Sequence, residues 1–374
     1  MKRYTLITLT IILVTSFAKA QQISDGYYRI QNNASERYIT INNDIIGEVN
    51  MSDTKADLTN IVTWRGFENV ESNPAAVIYV SAVDSKYNLS AQGTSIYKIT
   101  GGKTYLDITH RVADCYLLQV TYKGINGKLK DSSDSRTKGS VTHASQVDEY
   151  MLWKLKEINT TDNYLGLKPT VETNDGWYGT IYAEFPFKVI SEGIKVYYVD
   201  GVHEGQFQLN EITDDIKPGA TPLVFKCSSS NPADNMIMPV YASTTAPTDN
   251  KLKGTYFACT TNDHEEYIEY NANTMRVLGA DADKNLVLTT ASESYLASGW
   301  MIPMNTCWLN VPAGLSGDFK LVSRDVYTGV SSIEVSTQKT ATKGTFTLSG
   351  VQVDETKALR PGVYIKDGKK IVMK

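Results

Sequence analysis

The sequence predicts an all-β protein, and three observations carry that prediction. Apolar and aromatic residues alternate with polar ones in short runs bounded by turn residues, as in Tyr28-Arg29-Ile30, Val77-Ile78-Tyr79-Val80, Leu117-Leu118-Gln119-Val120 and Lys195-Val196-Tyr197-Tyr198-Val199. Side chains of a strand point alternately to its two faces, so a period of two marks half-buried strands. Asn126-Gly127 and Asp367-Gly368 follow or separate such runs, and both dipeptides suit a two-residue hairpin turn, which needs positive φ at its central positions. No stretch of three or more turns repeats its apolar residues at the helical period.

The chain has 374 residues, 41% hydrophobic and 21% charged. That is enough for two or three domains and unlike a disordered or collagen-like chain. It opens with Lys2 and Arg3, an apolar run from Leu6 to Phe17, and the A-x-A site Ala18-Lys19-Ala20. This is the pattern of a secretory signal peptide over residues 1–20, with the mature chain starting at Gln21. The apolar run spans roughly 12 residues where a membrane-crossing helix needs about 20, so no spanning segment is expected in the mature chain. Removing Lys2, Arg3 and Lys19 from the 37 basic residues leaves 34 against 41 acidic ones, a formal charge of −7. Neither nucleic acid nor an anionic bilayer is an expected partner of such a chain.

Residues 21–190 read as the first β domain. Ile30 precedes Tyr38, Val80 precedes Tyr87, Val120 precedes Leu129 and Leu155 precedes Tyr164, each across a small polar loop. The spacing of the second members is close to the unit length of a trefoil repeat. Four hits for three repeats place Leu155 on the closing strand of the third. The segment Asp25-Gly26-Tyr27-Tyr28-Arg29-Ile30-Gln31-Asn32, with Arg37-Tyr38-Ile39 and Trp153-Lys154-Leu155, resembles the ricin-type β-trefoil lectin family. The resemblance implies a β-trefoil and sugar binding, with a plain two-sheet sandwich as the alternative fold for this domain. It departs from that family at the Gln-x-Trp sugar-pocket signature, since no glutamine here has a tryptophan two residues on.

Residues 191–313 read as a second β domain, a sandwich or barrel. Within it Ile216-Lys217-Pro218-Gly219-Ala220-Thr221-Pro222-Leu223 is echoed by Ile302-Pro303-Met304-Asn305-Thr306-Cys307-Trp308-Leu309, each a turn followed by a strand. Gly193 to Val199, the Pro218 turn and Met275-Arg276-Val277-Leu278-Gly279 resemble uncharacterised secreted proteins of Bacteroidetes. A linker is expected over 314–325, then a small β unit over 326–374 whose end carries Pro361-Gly362-Val363-Tyr364, Lys370 and Lys374. These features resemble the C-terminal sorting domain of the Bacteroidetes type IX secretion system, which implies that Pro361, Gly362, Tyr364, Lys370 and Lys374 meet the secretion machinery. The lysines near the end also protect an exposed edge strand from pairing.

Catalytic and metal motifs fail one by one. His264-Glu265-Glu266-Tyr267-Ile268 lacks the second histidine of a zincin. Asp281-Ala282-Asp283-Lys284-Asn285 starts like a calcium loop, but Leu286 replaces its glycine and Ser292 its final glutamate, which leaves a turn before the strand Leu286-Val287-Leu288. His110, His143, His203 and His264 sit in polar surroundings with no marked partner. The four cysteines, Cys115, Cys227, Cys259 and Cys307, have no metal-binding spacing; Cys227 and Cys259 could pair, or all four could be buried thiols. No metal and no cofactor is expected.

Aromatic residues beside turns remain. Asp175-Gly176-Trp177-Tyr178-Gly179 sets two large rings between glycines, where they are expected to be exposed and able to stack on a sugar ring while Asp175 supplies a hydrogen bond. Trp153, Trp300 and Trp308 are expected in the core. The function expected is that of a secreted or cell-surface binding protein for a glycan or host polymer, with Trp177, Tyr178 and Asp175 as its ligand-binding residues. A hydrolase with acids drawn from distant strands, or a non-catalytic adhesin, stands as the alternative.

Overall fold

Strands Gly26–Asn32 and Trp153–Glu157 lie side by side, with Ile30 opposite Leu155, so the ends of the first 130-odd residues meet. Around them a computed structural model describes residues 22–43, 57–58, 60–99, 102–103, 105–122, 125–203, 206–261, 264–314, 316–323, 345–347, 353, 362–366 and 369–373. The signal-peptide residues, Pro361 and Lys374 lie outside the described residues. Among the described residues the structure is strand and turn, with only single 3-10 turns and no helix long and apolar enough to cross a membrane. The chain divides into two compact units, Met1–Tyr327 and Thr328–Lys374.

The first module is a β-trefoil. Six strands close a ring in the order Gly26–Asn32, Ile78–Val83, Lys86–Ala91, Leu106–Val112, Cys115–Tyr122 and Trp153–Glu157, each antiparallel to the next and the last to the first. Three hairpins rise from it, one per repeat: Arg37–Asn43 with Asn60–Arg65, Tyr97–Ile99 with Gly102–Lys103, and Ile125–Asp131 with Lys138–Ala144. Closing the sheet leaves the ring without free edges. Its inward positions, among them Ile30, Ile78, Val80, Leu89, Leu118 and Trp153, form one buried core. Trp153 donates its indole N–H to the Leu129 carbonyl at 2.9 Å, so its one polar atom is satisfied in that core.

The repeats begin at Gly26, Lys86 and Cys115, which is less regular than the apolar spacing suggests. Val80 is on the closing strand of the first repeat and Tyr87 on the opening strand of the second, because every ring strand contributes inward residues. Leu155 does sit on the closing strand of the third. The first hairpin signal is displaced. Tyr122 pairs with Ile125, so the chain reverses between them, and Asn126 and Gly127 are strand residues opposite Thr121 and Val120. In this register Leu129, two residues beyond Gly127, is fully buried in the core.

The second module is a ten-stranded curled sheet backed by a four-stranded one. The long sheet is antiparallel except where Gln206–Glu211 runs parallel to Phe319–Ser323. It curls until Thr180, in Gly176–Ile181, accepts the Cys307 N–H at 3.2 Å and Tyr182 N–H reaches the Asn305 carbonyl at 2.9 Å. Val199, Phe207, Val224, Leu288 and Leu309 fill the inside of the curl. Phe225, Cys227 and Val196 point to the outer face, against Leu165, Phe187 and Ile237 of the small sheet. The echoed segments both turn on a left-handed residue before a strand, Ala220 at φ 49° and Asn305 at φ 59°.

Two boundaries differ from the sequence reading. The strands Leu165–Gly166, Gly176–Ile181 and Phe187–Val189 hydrogen-bond to residues 216–239, not to the trefoil ring. Phe319–Ser323, inside the expected linker, is a strand of the curled sheet, where Leu321 is needed to complete the core. The two modules also share residues: Phe257, from the second, is buried in the trefoil core. All four cysteines are buried thiols. In the second unit Thr345–Thr347, Gly362–Lys366 and Lys369–Met373 form a small antiparallel sheet, with Lys366 opposite Lys369; Asp367 and Gly368 lie outside the described residues.

Candidate functional site

Alternation along Gly176–Ile181 sends consecutive aromatic rings to opposite faces of the curled sheet. Tyr178 turns inward and is 5% exposed; Trp177 turns outward, half-buried against the core that includes Phe225 and Cys227. The two rings therefore make no common stacking platform. Trp153 and Trp308 are buried as expected, but Trp300 is 39% exposed, edge-on to Tyr267 at 5.0 Å, because it follows a turn in which Ser298 and Gly299 both have positive φ.

Tyr178 and Asp175 meet at the mouth of the curl, where a cleft of about 590 Å³ opens. Mouths of curled and closed sheets are common ligand sites, since side chains cannot fill the widening end. Thr173 braces the turn before Tyr178, its hydroxyl 2.7 Å from the Asp175 carboxylate and 2.8 Å from the Gly176 carbonyl. Gly176 itself holds φ 135°. From there Asp175 Oδ2 accepts the Tyr178 hydroxyl at 3.0 Å and Lys226 Nζ at 2.8 Å. Lys226 lies over the Tyr178 ring, 5.5 Å from its centroid.

The opposite wall is the turn Asp281–Asn285. Asp281 Oδ1 accepts the N–H groups of Asp283 and Asn285, and Lys284 adopts φ 59°. It is a turn before the strand Leu286–Thr289, as its failed calcium pattern implied. Asn174 ties the two walls together through its side chain to the Asp283 carbonyl at 2.6 Å and its N–H to the Lys284 carbonyl at 3.2 Å. No cluster of His, Cys, Asp and Glu fit to hold a metal occurs among the described residues.

Burial alone would raise the Asp175 carboxyl, but hydrogen bonds from Lys226, Thr173 and Tyr178 hold it below its ordinary value. It is a carboxylate already engaged by its neighbours. Burial, then the charges of Glu211 and Asp175, push Tyr197 up to about 12. Tyr197, 9% exposed, lines the same cleft, and among the described residues its hydroxyl makes no hydrogen bond. Lys195, Lys284 and Lys320 complete the charged lining.

Sequence reasoning reached Asp175 and Tyr178 but missed Tyr197 and the lysines. Tyr197 was within reach, because alternation in Lys195-Val196-Tyr197-Tyr198-Val199 puts Lys195, Tyr197 and Val199 on one face. Lys226, Lys284 and Lys320 come from three other segments and share no local pattern. Of the sorting residues, Gly362 and Tyr364 are in one strand of the small terminal sheet and Lys370, exposed, is in the next. The histidines fall on four separate strands; His110 is exposed.

No family model and no curated protein matches the chain. Among solved structures it is similar to ThreeFoil, a designed 3-fold symmetric protein, at 14% identity and TM-score 0.26, over 36% of this chain and 100% of that one. It is also similar to a mosquitocidal holotoxin at 10% identity and TM-score 0.26, over 78% of this chain and 35% of that one. The trefoil assignment rests on the closed ring and its three hairpins, not on these scores.

Proposed function

We propose that the protein is a secreted or cell-surface binding protein that holds a segment of a glycan or host polymer in the cleft at the mouth of its curled sheet. The observation that carries this reading is the cleft itself, which joins a volume of about 590 Å³ to the convergent polar groups of Asp175, Tyr178, Tyr197 and Lys226. A pocket of that size with a few oriented polar groups is the ordinary form of a small-ligand or oligomer site. Asp175 is the one carboxylate in its lining and is tied to Lys226, whereas glycoside hydrolysis needs two carboxyl groups facing the bond. Binding therefore suits this cleft better than hydrolysis.

Export rests on the signal-peptide pattern of residues 1–20 and on the match of Pro361, Gly362, Tyr364, Lys370 and Lys374 to a type IX sorting domain of Bacteroidetes. The test is a glycan array probed with the full mature chain, followed by titration of the strongest hit against Lys226→Ala. Loss of one charge-assisted contact should weaken binding about tenfold. A hit that binds Lys226→Ala as well as the parent protein would remove the cleft from consideration.

A further inference from the structure

An ordered but uncovered aromatic ring stands where the trefoil meets the second module. Alternation sends Tyr28, Ile78 and Val80 into the trefoil core, so Tyr27 and Tyr79, neighbours across two paired strands, face outward. The Tyr27 ring lies edge-on to Phe185 at 5.5 Å and 4.9 Å from Tyr79. Its hydroxyl donates to the Val240 carbonyl at 3.3 Å, which holds the chain beyond the strand Met236–Pro239 against the trefoil. The next residue, Tyr241, lays its ring parallel to that of Tyr79, with the centroids 5.3 Å apart and the planes within 6°. Yet Tyr241 is 83% exposed, more than any other large hydrophobic side chain among the described residues. A ring that served only to seal the seam would bury most of its surface, whereas this one has its orientation fixed by Tyr79 and its outer face left to solvent.

The charges that act on this stack are acidic. Burial and then Asp25 raise the Tyr79 phenol, and burial and then Glu184 raise that of Tyr27. Asp25 accepts the Ala82 N–H at 2.7 Å through one carboxylate oxygen, and among the described residues its other oxygen has no partner. No lysine or arginine lies over any of the three rings among the described residues. We propose that Tyr241, backed by Tyr79, is a stacking platform for one ring of a neutral glycan. A sugar ring has a face of C–H groups that suits the flat tyrosine and a rim of hydroxyls that can donate to Asp25. Acidic sugars and nucleic acid are repelled by that carboxylate, and an ammonium ligand is best held by a cage of rings, where two parallel rings present a single flat face. None of these residues lines the cleft, so this is an additional site that stands or falls independently of it.

Cellohexaose, xylohexaose and chitohexaose, all uncharged, are titrated against the full mature chain, with polygalacturonate and chitosan as acidic and basic counterparts. The expected result is that at least one neutral oligomer binds more tightly than either charged polymer, with an affinity that salt leaves unchanged. Tyr241→Ala should then weaken it about tenfold and Tyr241→Phe less than about twofold, both at the parent's melting temperature, because so exposed a ring contributes little to folding. A lower melting temperature for Tyr241→Ala with unchanged binding would make the ring a cover for the seam and overturn the proposal. A neutral oligomer released by Lys226→Ala but kept by Tyr241→Ala sits in the cleft, which overturns the platform and leaves the cleft standing. Tighter binding of polygalacturonate or chitosan, or binding of none of the three neutral oligomers, also overturns it.

Discussion

Trp177 and Tyr178 are neighbours in sequence with opposite fates, decided by the pleat of one strand. Tyr178 donates its hydroxyl to Asp175 at the cleft, while Trp177 covers the seam between the curled sheet and its small backing sheet. Removing a fully buried tryptophan side chain costs about 3–5 kcal/mol, so for a half-buried ring Trp177→Ala should cost about 2 kcal/mol. Chemical denaturation measures that loss, and polymer binding at the cleft should be unchanged. An unchanged midpoint would show that the ring contributes nothing to the seam. The thiols are equally decided by burial: Cys307, enclosed in the core, is pushed up to about 12, which makes it unreactive in the folded state.

At the scale of elements, the trefoil hairpins are locked by a polar group rather than by apolar packing alone. Arg37 at the start of the first hairpin and Asp131 at the end of a strand of the third are both fully buried and meet at 2.9 Å. Thr63 donates to Asp131 at 2.7 Å, and Arg37 donates onward to the carbonyls of Asp134 and Arg136 at 3.1 and 2.8 Å. Gly139 makes room, because a Cβ there would stand 2.7 Å from the guanidinium carbon and 2.6 Å from the Thr63 hydroxyl. Asp131→Ala removes the fully buried partner of Arg37 and leaves it only the partly exposed carboxylate of Asp134 at 3.1 Å, and breaking a buried pair costs about 3–5 kcal/mol. Equilibrium unfolding should register a loss of that size, far above that of an exposed pair such as Lys195 with Glu211.

Across the whole molecule, the trefoil and the second module are joined by residues that neither could satisfy alone. Glu184 is raised chiefly by burial, and the backbone N–H groups of Gly93 and Gln92 in the trefoil offset part of that shift. An acid raised on folding favours the folded state while it is protonated and disfavours it once it must carry charge. Its contribution is thus fully present below its ordinary value of 4.5 and lost as pH rises through the raised value. The stability difference between Glu184→Gln and the parent protein should therefore move in the variant's favour between about pH 4 and about pH 8. Melting temperatures across that range check the sign; a flat difference would mean that Glu184 ionises freely. The second unit, Thr328–Lys374, has its own three-stranded sheet. A chain ending at Tyr327 should retain the parent's near-UV circular dichroism and melting temperature, because cutting between compact units crosses few contacts, yet fail to reach the cell surface. Misfolding of that shorter chain would make the unit structural and remove the chief support for sorting.

By itself the sequence determined the all-β class and the turn at Asp281, pointed by resemblance to a trefoil for the first module, and reached two of the cleft residues, Asp175 and Tyr178. Each of these is written locally, in period-two alternation, in turn chemistry, or in aromatic residues set between glycines beside a turn. Tertiary structure alone decided where Asn126 and Gly127 pair, since the packing of the whole hairpin outweighs the preference of one dipeptide. It also decided that residues 165–189 and Phe319–Ser323 join the second module, and that four lysines and Tyr197 converge on one cleft. Those groups are spread over more than a hundred residues of sequence, and what brings them together is the curling of a sheet, a property of the whole set of strands that no single stretch of sequence contains.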